Sequence, residues 1–178
     1  RLLLQSILPL IAPGSDRRAV VYDAKQDMME ILSGLPLSCE VILLNPFDAR
    51  SAAWDMAKDV TTLATALQIA SIFIADERGD NSFFAKAARD LFAGVLVALH
   101  NTQPGDWTLA DVVAILSSRD KTKALLERVP HTRYMAQEHF SREEKTLANV
   151  QYTITANIAY LRPIAGLWHH ARRRISLT

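Results

Sequence analysis

Three groups of residues in this 178-residue chain carry side chains that can act on a phosphate. Asp23 and Lys25 alternate at the end of a short apolar run, Ala19 to Tyr22. A carboxylate and an ammonium at a strand's carboxyl end can border a bound nucleotide. A strand-end carboxylate can equally cap a helix starting at Lys25, and spacing does not separate the two. Asn45, Asp48, Arg50, Trp54 and Asp55 follow a second apolar run, Val41 to Leu44. Arg50 can reach a neighbouring subunit's nucleotide, but the plainer reading of this group is structural: Asx turns, a surface ion pair and an indole covering a seam. Arg119, Lys121, Lys123 and Arg128 form the third group, and Arg172-Arg173-Arg174 a further basic run. Lys121 and Arg128 are seven apart and share a helix face, as phosphate binding along DNA requires, although solvated helix surfaces look the same.

Other chemistry is missing. A phosphate-binding loop needs glycine amides followed by lysine and a hydroxyl residue. None of the six glycines here precedes a lysine, so such a loop is absent from this chain. Ile72 to Glu77 imitates the acidic strand of an ATPase, yet Leu63, Leu67 and Ala70 lead into it at helical spacing, and it reads as a helix ending in a solvated turn. His169 and His170 are adjacent, no HExxH occurs, and Cys39 has no partner cysteine, so neither a metal site nor a disulfide is expected. No nucleophile elbow or Ser/His/Asp order appears, and no catalytic residue is assigned.

The elements that position these groups change character along the chain. Val41 to Leu44 is too short for a buried helix, and Pro46 denies Asn45 the helical conformation, so a strand ends at Asn45. In open parallel sheets that edge is where ligands bind. Ala19 to Tyr22 reads as another strand, with a crossover helix over Lys25 to Ser33 between them. A helix is expected over Arg1 to Ala12, stopped by Pro13-Gly14. Beyond Trp54 the period becomes 3.6. Asp55 can cap a helix whose face runs Leu63, Leu67, Ala70, Ile74; Ser82 can cap one with the stripe Phe84, Ala88, Leu91, Val95, Leu99, ended by Pro104-Gly105. Capping-box spacing recurs at Thr108/Asp111, Ser117/Asp120 and Ser141/Glu144. Pro130 closes the second of these helices; Leu147, Val150, Ile154, Ile158 and Leu161 continue the third until Pro163.

Composition sets the bounds. A 49% hydrophobic fraction excludes a disordered chain, and a net charge of +1 means that any nucleic-acid surface must be local. The longest uncharged run, Val60 to Ala75, is too short and too polar to span a membrane and reads as a buried helix. No signal-peptide pattern is seen, and the chain, beginning on Arg1, reads as an excerpt of a longer protein.

Asn45-Pro46-Phe47-Asp48-Ala49-Arg50 with Trp54-Asp55, preceded by Asp23-Ala24-Lys25 and followed by Ser82-Phe83-Phe84 and Ile175-Ser176-Leu177-Thr178, resembles the motor domain of type IV secretion coupling proteins of the TraD kind, hexameric DNA-pumping ATPases related to FtsK and HerA. In related motors the Asp23 position reads Asp-Pro-Lys; here proline and the following glycine are both missing. The resemblance implies an α/β fold, part of a RecA-like parallel sheet carrying a large all-helical insertion, divided as 1–55, 56–166 and 167–178. It implies that the phosphate-binding loop lies upstream of Arg1, with ATP and magnesium for the full-length protein but none for this piece, and no ATPase activity from it alone. The implied partners are DNA, a relaxase or relaxosome, secretion-channel proteins and five further copies in a homo-hexamer, on the cytoplasmic side of a bacterial inner membrane. A competing reading is a non-catalytic helical adaptor that binds a protein through the faces of helices 82–102 and 142–162.

Overall fold

A computed structural model describes residues 14, 15, 19–35, 37, 39–77, 79 and 82–178; the helix expected over Arg1 to Ala12 lies outside them. The chain divides into two compact units, Arg1–Asn45 and Pro46–Thr178.

In the first unit, α1 (Met28–Ser33) occupies the place of the expected crossover helix but begins three residues after Lys25. Asp23 explains the delay: its Oδ2 accepts the Met28 amide at 2.9 Å, across a turn in which Gln26 adopts a φ of 60°. The flanking runs Ala19 to Tyr22 and Val41 to Leu44 are not strands. Val41 to Leu44 does alternate half-buried with exposed residues, as a strand would. A strand also needs a ladder with a second strand, which no local propensity can supply.

The strands form in the second unit. β1 (Ala53–Trp54) and β2 (Arg174–Ile175) pair in parallel, Ala53 opposite Arg174 and Trp54 opposite Ile175. The regular elements between them are helices: α2 (Met56–Asp59), α3 (Leu63–Phe73), α4 (Ser82–Thr102), α5 (Leu109–Leu116), α6 (Arg119–Arg128), α7 (Pro130–Phe140), α8 (Glu144–Asn157) and α9 (Leu161–His169). A small parallel sheet thus carries a large helical body, the architecture the sequence predicts.

α4 is the axis of that body. From Leu91 to Leu99 every residue except Val97 is buried, and α3, α5, α6, α7 and α8 all pack on it. The expected stripe lies on this surface, but a helix apolar on all sides is an enclosed one, so the stripe is only part of the contact. At Gly94 side chains of α6 and α7 press on the α4 backbone: a Cβ there would meet Met135 Sδ at 2.8 Å and Leu126 Cδ2 at 3.0 Å.

α3 departs from expectation. Its buried positions are Ala66 and Ala70, followed by Ile74, while Leu63, Leu67 and Ile72 are exposed. Alanines let the α3 backbone lie close to α4, and that turns the larger aliphatic side chains outward. The uncharged run is therefore half a surface helix.

Several helix boundaries also move. The Thr108/Asp111 box forms as expected. Ser118, not Ser117, caps α6, its Oγ accepting the Lys121 amide. Ser141 and Glu144 make no box: Ser141 donates to the Glu138 carbonyl, and Glu144 pairs with Arg119. Pro130 closes α6 but also opens α7 at its first position. Pro163 sits in the first turn of α9, where a missing N–H costs nothing, so the expected long helix is two. Buried or half-buried side chains take up carbonyls left over at the helix ends: Thr122 donates to Ile115, Gln151 to Leu116 and Thr132 to Leu126. Among the described residues no helix is long and apolar enough to cross a membrane.

Candidate nucleic-acid interface

The helical body is mounted where the chain leaves β1 and returns to β2. The Asp55 amide donates to the Ile175 carbonyl at 2.7 Å, and the buried Asp55 carboxylate pairs with Lys58 at 2.8 Å. Asp59, at the end of α2, gathers the rest. Its Oδ2 accepts Trp54 Nε1 at 2.5 Å and the Leu177 amide at 2.8 Å; its Oδ1 accepts the Ser176 hydroxyl, and the Thr178 hydroxyl at 2.9 Å. Burial pushes this carboxyl up, but the hydrogen bonds from Ser176, Leu177, Trp54 and Thr178 outweigh it and bring the pKa down to about 2. Trp54 and Asp55 are thus parts of a clasp. Asp59 went unnoticed in the sequence because its partners lie at the far end of the chain.

Just before the mount, Asp48 and Arg50 form a local fork: Arg50 Nε reaches Oδ1 at 3.0 Å, Nη2 reaches Oδ2 at 2.7 Å, and the Arg50 amide also donates to Oδ1. Side-chain hydrogen bonding from Arg50 holds the Asp48 carboxyl at about 2. Pro46 opens the turn that carries this pair, and Asn45 ends the first unit. Asp23 is engaged at the start of α1, and Lys25 is exposed.

The basic residues fall into two regions. Around α6, Arg119 Nη1 meets Glu144 Oε1 at 2.5 Å and Lys123 Nζ lies 3.9 Å from Glu127 Oε1. Hydrogen bonding from Arg119 lowers the Glu144 pKa. Lys121 and Arg128 are exposed, and their side chains have no acceptor among the described residues. The second region is the C-terminal limb, Lys145 to Thr178, which forms most of α8, all of α9, and β2. It holds Lys145, Arg162, Arg172, Arg173 and Arg174 and not one aspartate or glutamate. All five cations are exposed, as are Tyr152, Tyr160, His169 and His170. The signal for this limb was a count of missing acids, whereas clusters of bases draw the eye first.

Residues 3–173 match the family of type IV secretion-system coupling protein DNA-binding domains. The chain belongs to that family. No match to it was found among curated proteins or among solved structures. A coupling-protein DNA-binding domain has a polyanion for its ligand, and the limb brings five exposed cations and no acid of its own.

The nucleotide implied for the whole motor does not fit the described residues of this coupling-protein domain. The glycines with left-handed backbone, Gly14, Gly79 and Gly105, stand singly in turns, and none precedes a lysine that would reach a phosphate. No step of nucleotide hydrolysis is assigned to these residues.

Proposed function

We propose that this chain is the DNA-handling part of a coupling-protein motor that passes DNA, alone or with a bound relaxase, into a type IV secretion channel. One observation carries the reading: Arg174 is both the last residue of the basic run and the first of β2. A displacement of the sheet therefore moves the cationic limb directly. ATP and magnesium would be held by other parts of a homo-hexameric parent on the cytoplasmic side of the inner membrane, with Asp23, Lys25 and Arg50 each a candidate to border a nucleotide. The chain alone is expected to hydrolyse no ATP.

Titration of the 178-residue chain against labelled single- and double-stranded DNA at about 50 and about 200 mM salt tests the reading. Affinity that falls steeply with salt supports it; no binding at the lower salt overturns it. The outer face of α3, with Leu63, Leu67 and Ile72 exposed and no charge, favours protein docking as a second role of the same body.

A further inference from the structure

We infer that the outer face of α9, with the residues at either end of it, is a track for single-stranded DNA, and that the α6 cluster is not the DNA-contacting surface. The inference rests on the DNA-binding reading above and gives it a location and a strandedness.

α9 presents Arg162, Gly166 and His169 at positions i, i+4 and i+7, one face of a helix, and all three are exposed. Arg172, Arg173 and Arg174 continue from the helix end. At nine residues α9 is about 13.5 Å long, so cations stand at both ends of a short stretch of helix. Gly166 is the telling residue. A glycine inside an exposed helix costs about 1 kcal/mol relative to alanine. No atom lies within 4 Å of where its Cβ would be, so packing within the chain does not require it. A bare backbone between cations suits the close approach of another chain.

The charge of the track identifies that chain as a polyanion, and its aromatic residues favour unpaired bases. Tyr160, immediately before α9, is 52% exposed, while its ring edge rests on Phe73 with centroids 6.4 Å apart. It is a platform held in place yet open to a stacking base, two residues from Arg162. Tyr152, 75% exposed on α8, stands seven residues from Lys145 and so on the same face. Cations that follow a backbone, alternating with aromatic rings that take bases, are the pattern of single-strand binding; a duplex keeps its bases stacked on each other. Asp111, in the first turn of α5, which packs against α9, is engaged in the α5 cap, accepting from the Thr108 amide and hydroxyl.

The test uses the whole chain, a labelled oligothymidylate and a labelled duplex, at the two salt concentrations above. The Arg162→Ala/Arg172→Ala/Arg174→Ala variant is expected to bind the oligothymidylate at least tenfold more weakly and to lower the log–log salt slope by about 2, three phosphate contacts at about 0.7 each. Lys121→Ala/Lys123→Ala/Arg128→Ala is expected to change affinity less than threefold. Tyr160→Leu should weaken binding about fivefold or more with the slope unchanged, and Tyr160→Phe should restore it. Circular dichroism melts confirm that each variant folds.

If the unaltered chain binds neither probe, the DNA-binding reading falls and the track with it. If it binds and only the α6 variant loses affinity, the reading stands and the track is overturned. Equal binding of the duplex with Tyr160→Leu silent overturns the single-strand assignment.

Discussion

The α6–α7 cluster and the C-terminal limb carry the same number of cations and differ in where the acids are. From Arg119 to Arg133 five basic residues share their surface with Asp120 and Glu127, and Arg119 reaches across to Glu144. The segment Lys145 to Thr178 contributes five basic residues and no acid of its own, and Asp59, a carboxylate that reaches it from α2, is taken up by Ser176, Leu177 and Thr178. The density of bases in sequence is greater in the first region, but so is the density of acids. Exposed ion pairs add about 0 to 1 kcal/mol to stability, yet each one removes a cation from the ligand's reach. Both regions pack on α4, through α6 and α7 in the first and α8 in the second, but only the limb is also held at its end by a hydrogen-bonded clasp.

That difference can be broken from either side. The largest effect is expected at Gly94, where α6 and α7 approach α4. Gly94→Leu must displace Met135 and Leu126, and should cost about 2 to 3 kcal/mol in chemical denaturation. Gly94→Ala should be milder, because about 1 kcal/mol of helix propensity offsets the clash. If the limb is the DNA surface, DNA affinity measured where Gly94→Ala is still folded stays within twofold of the parent.

The clasp comes next. Asp59→Asn leaves Trp54, Leu177, Ser176 and Thr178 with a weaker acceptor, and solvent screening at this half-buried site keeps the loss to about 1 to 2 kcal/mol. Because the folded pKa of Asp59 lies below its unfolded value, its contribution is full above about pH 4 and disappears as pH falls towards about 2. His139 gives the α7 side its own acid step. Burial, reinforced by the charge of Arg142, holds its imidazole below the ordinary 6.5. The unfolded chain then takes up a proton that the folded chain refuses, so stability falls as pH drops below about 6.5. Melts from pH 8 to 2 should therefore show two separate losses, the upper removed by His139→Gln and the lower by Asp59→Asn. A single loss surviving both changes would show that neither group governs acid sensitivity.

Gly166→Glu sets stability against binding. Glutamate is the better helix former, so the melt should rise by about 0.5 to 0.8 kcal/mol. The same change puts an acid in the limb and a side chain on bare backbone, and DNA binding should fall about tenfold, about 1.4 kcal/mol. A stabilised variant with unaltered affinity would mean that the glycine serves no ligand.

How much of this was legible beforehand follows from what each residue depends on. The helical body, the Thr108/Asp111 cap and the Pro104-Gly105 stop depend on neighbours a few residues away, and sequence shows them. Asp48 and Arg50 are two residues apart, and their pairing was equally readable. Val41 to Leu44 has the right pattern for a strand, but a ladder depends on a distant partner, and β1 instead pairs with a segment at the other end of the chain. The faces of α3 were misjudged for a related reason: which side is buried was decided by alanines that let α4 come close, and hydrophobicity alone points to the leucines. Ser141 and Glu144 had the spacing of a box, but Arg119 competes for the same carboxylate. Asp59 could not be seen at all, since each strand of the clasp is unremarkable without the other.

The smallest effect, and the finest probe of the comparison, is expected from Glu144→Gln. Glu144 is the first residue of α8 and lies one position before the limb. Removing its charge releases the Arg119 guanidinium and subtracts one acid from the boundary between the two basic regions. It also forfeits a favourable carboxylate at a helix N-terminus, so the melt should fall slightly. On DNA affinity two outcomes are distinguishable. If Arg119 only neutralises Glu144, the gain is a screened, through-solvent effect: below twofold at about 50 mM salt and gone at about 200 mM, where the Debye length is under about 10 Å. If the freed guanidinium takes a phosphate itself, affinity rises severalfold and the salt slope steepens by about 0.7, one further contact. The second result would make the α6 cluster a DNA surface held in reserve by its own acids, and the limb only the larger of two.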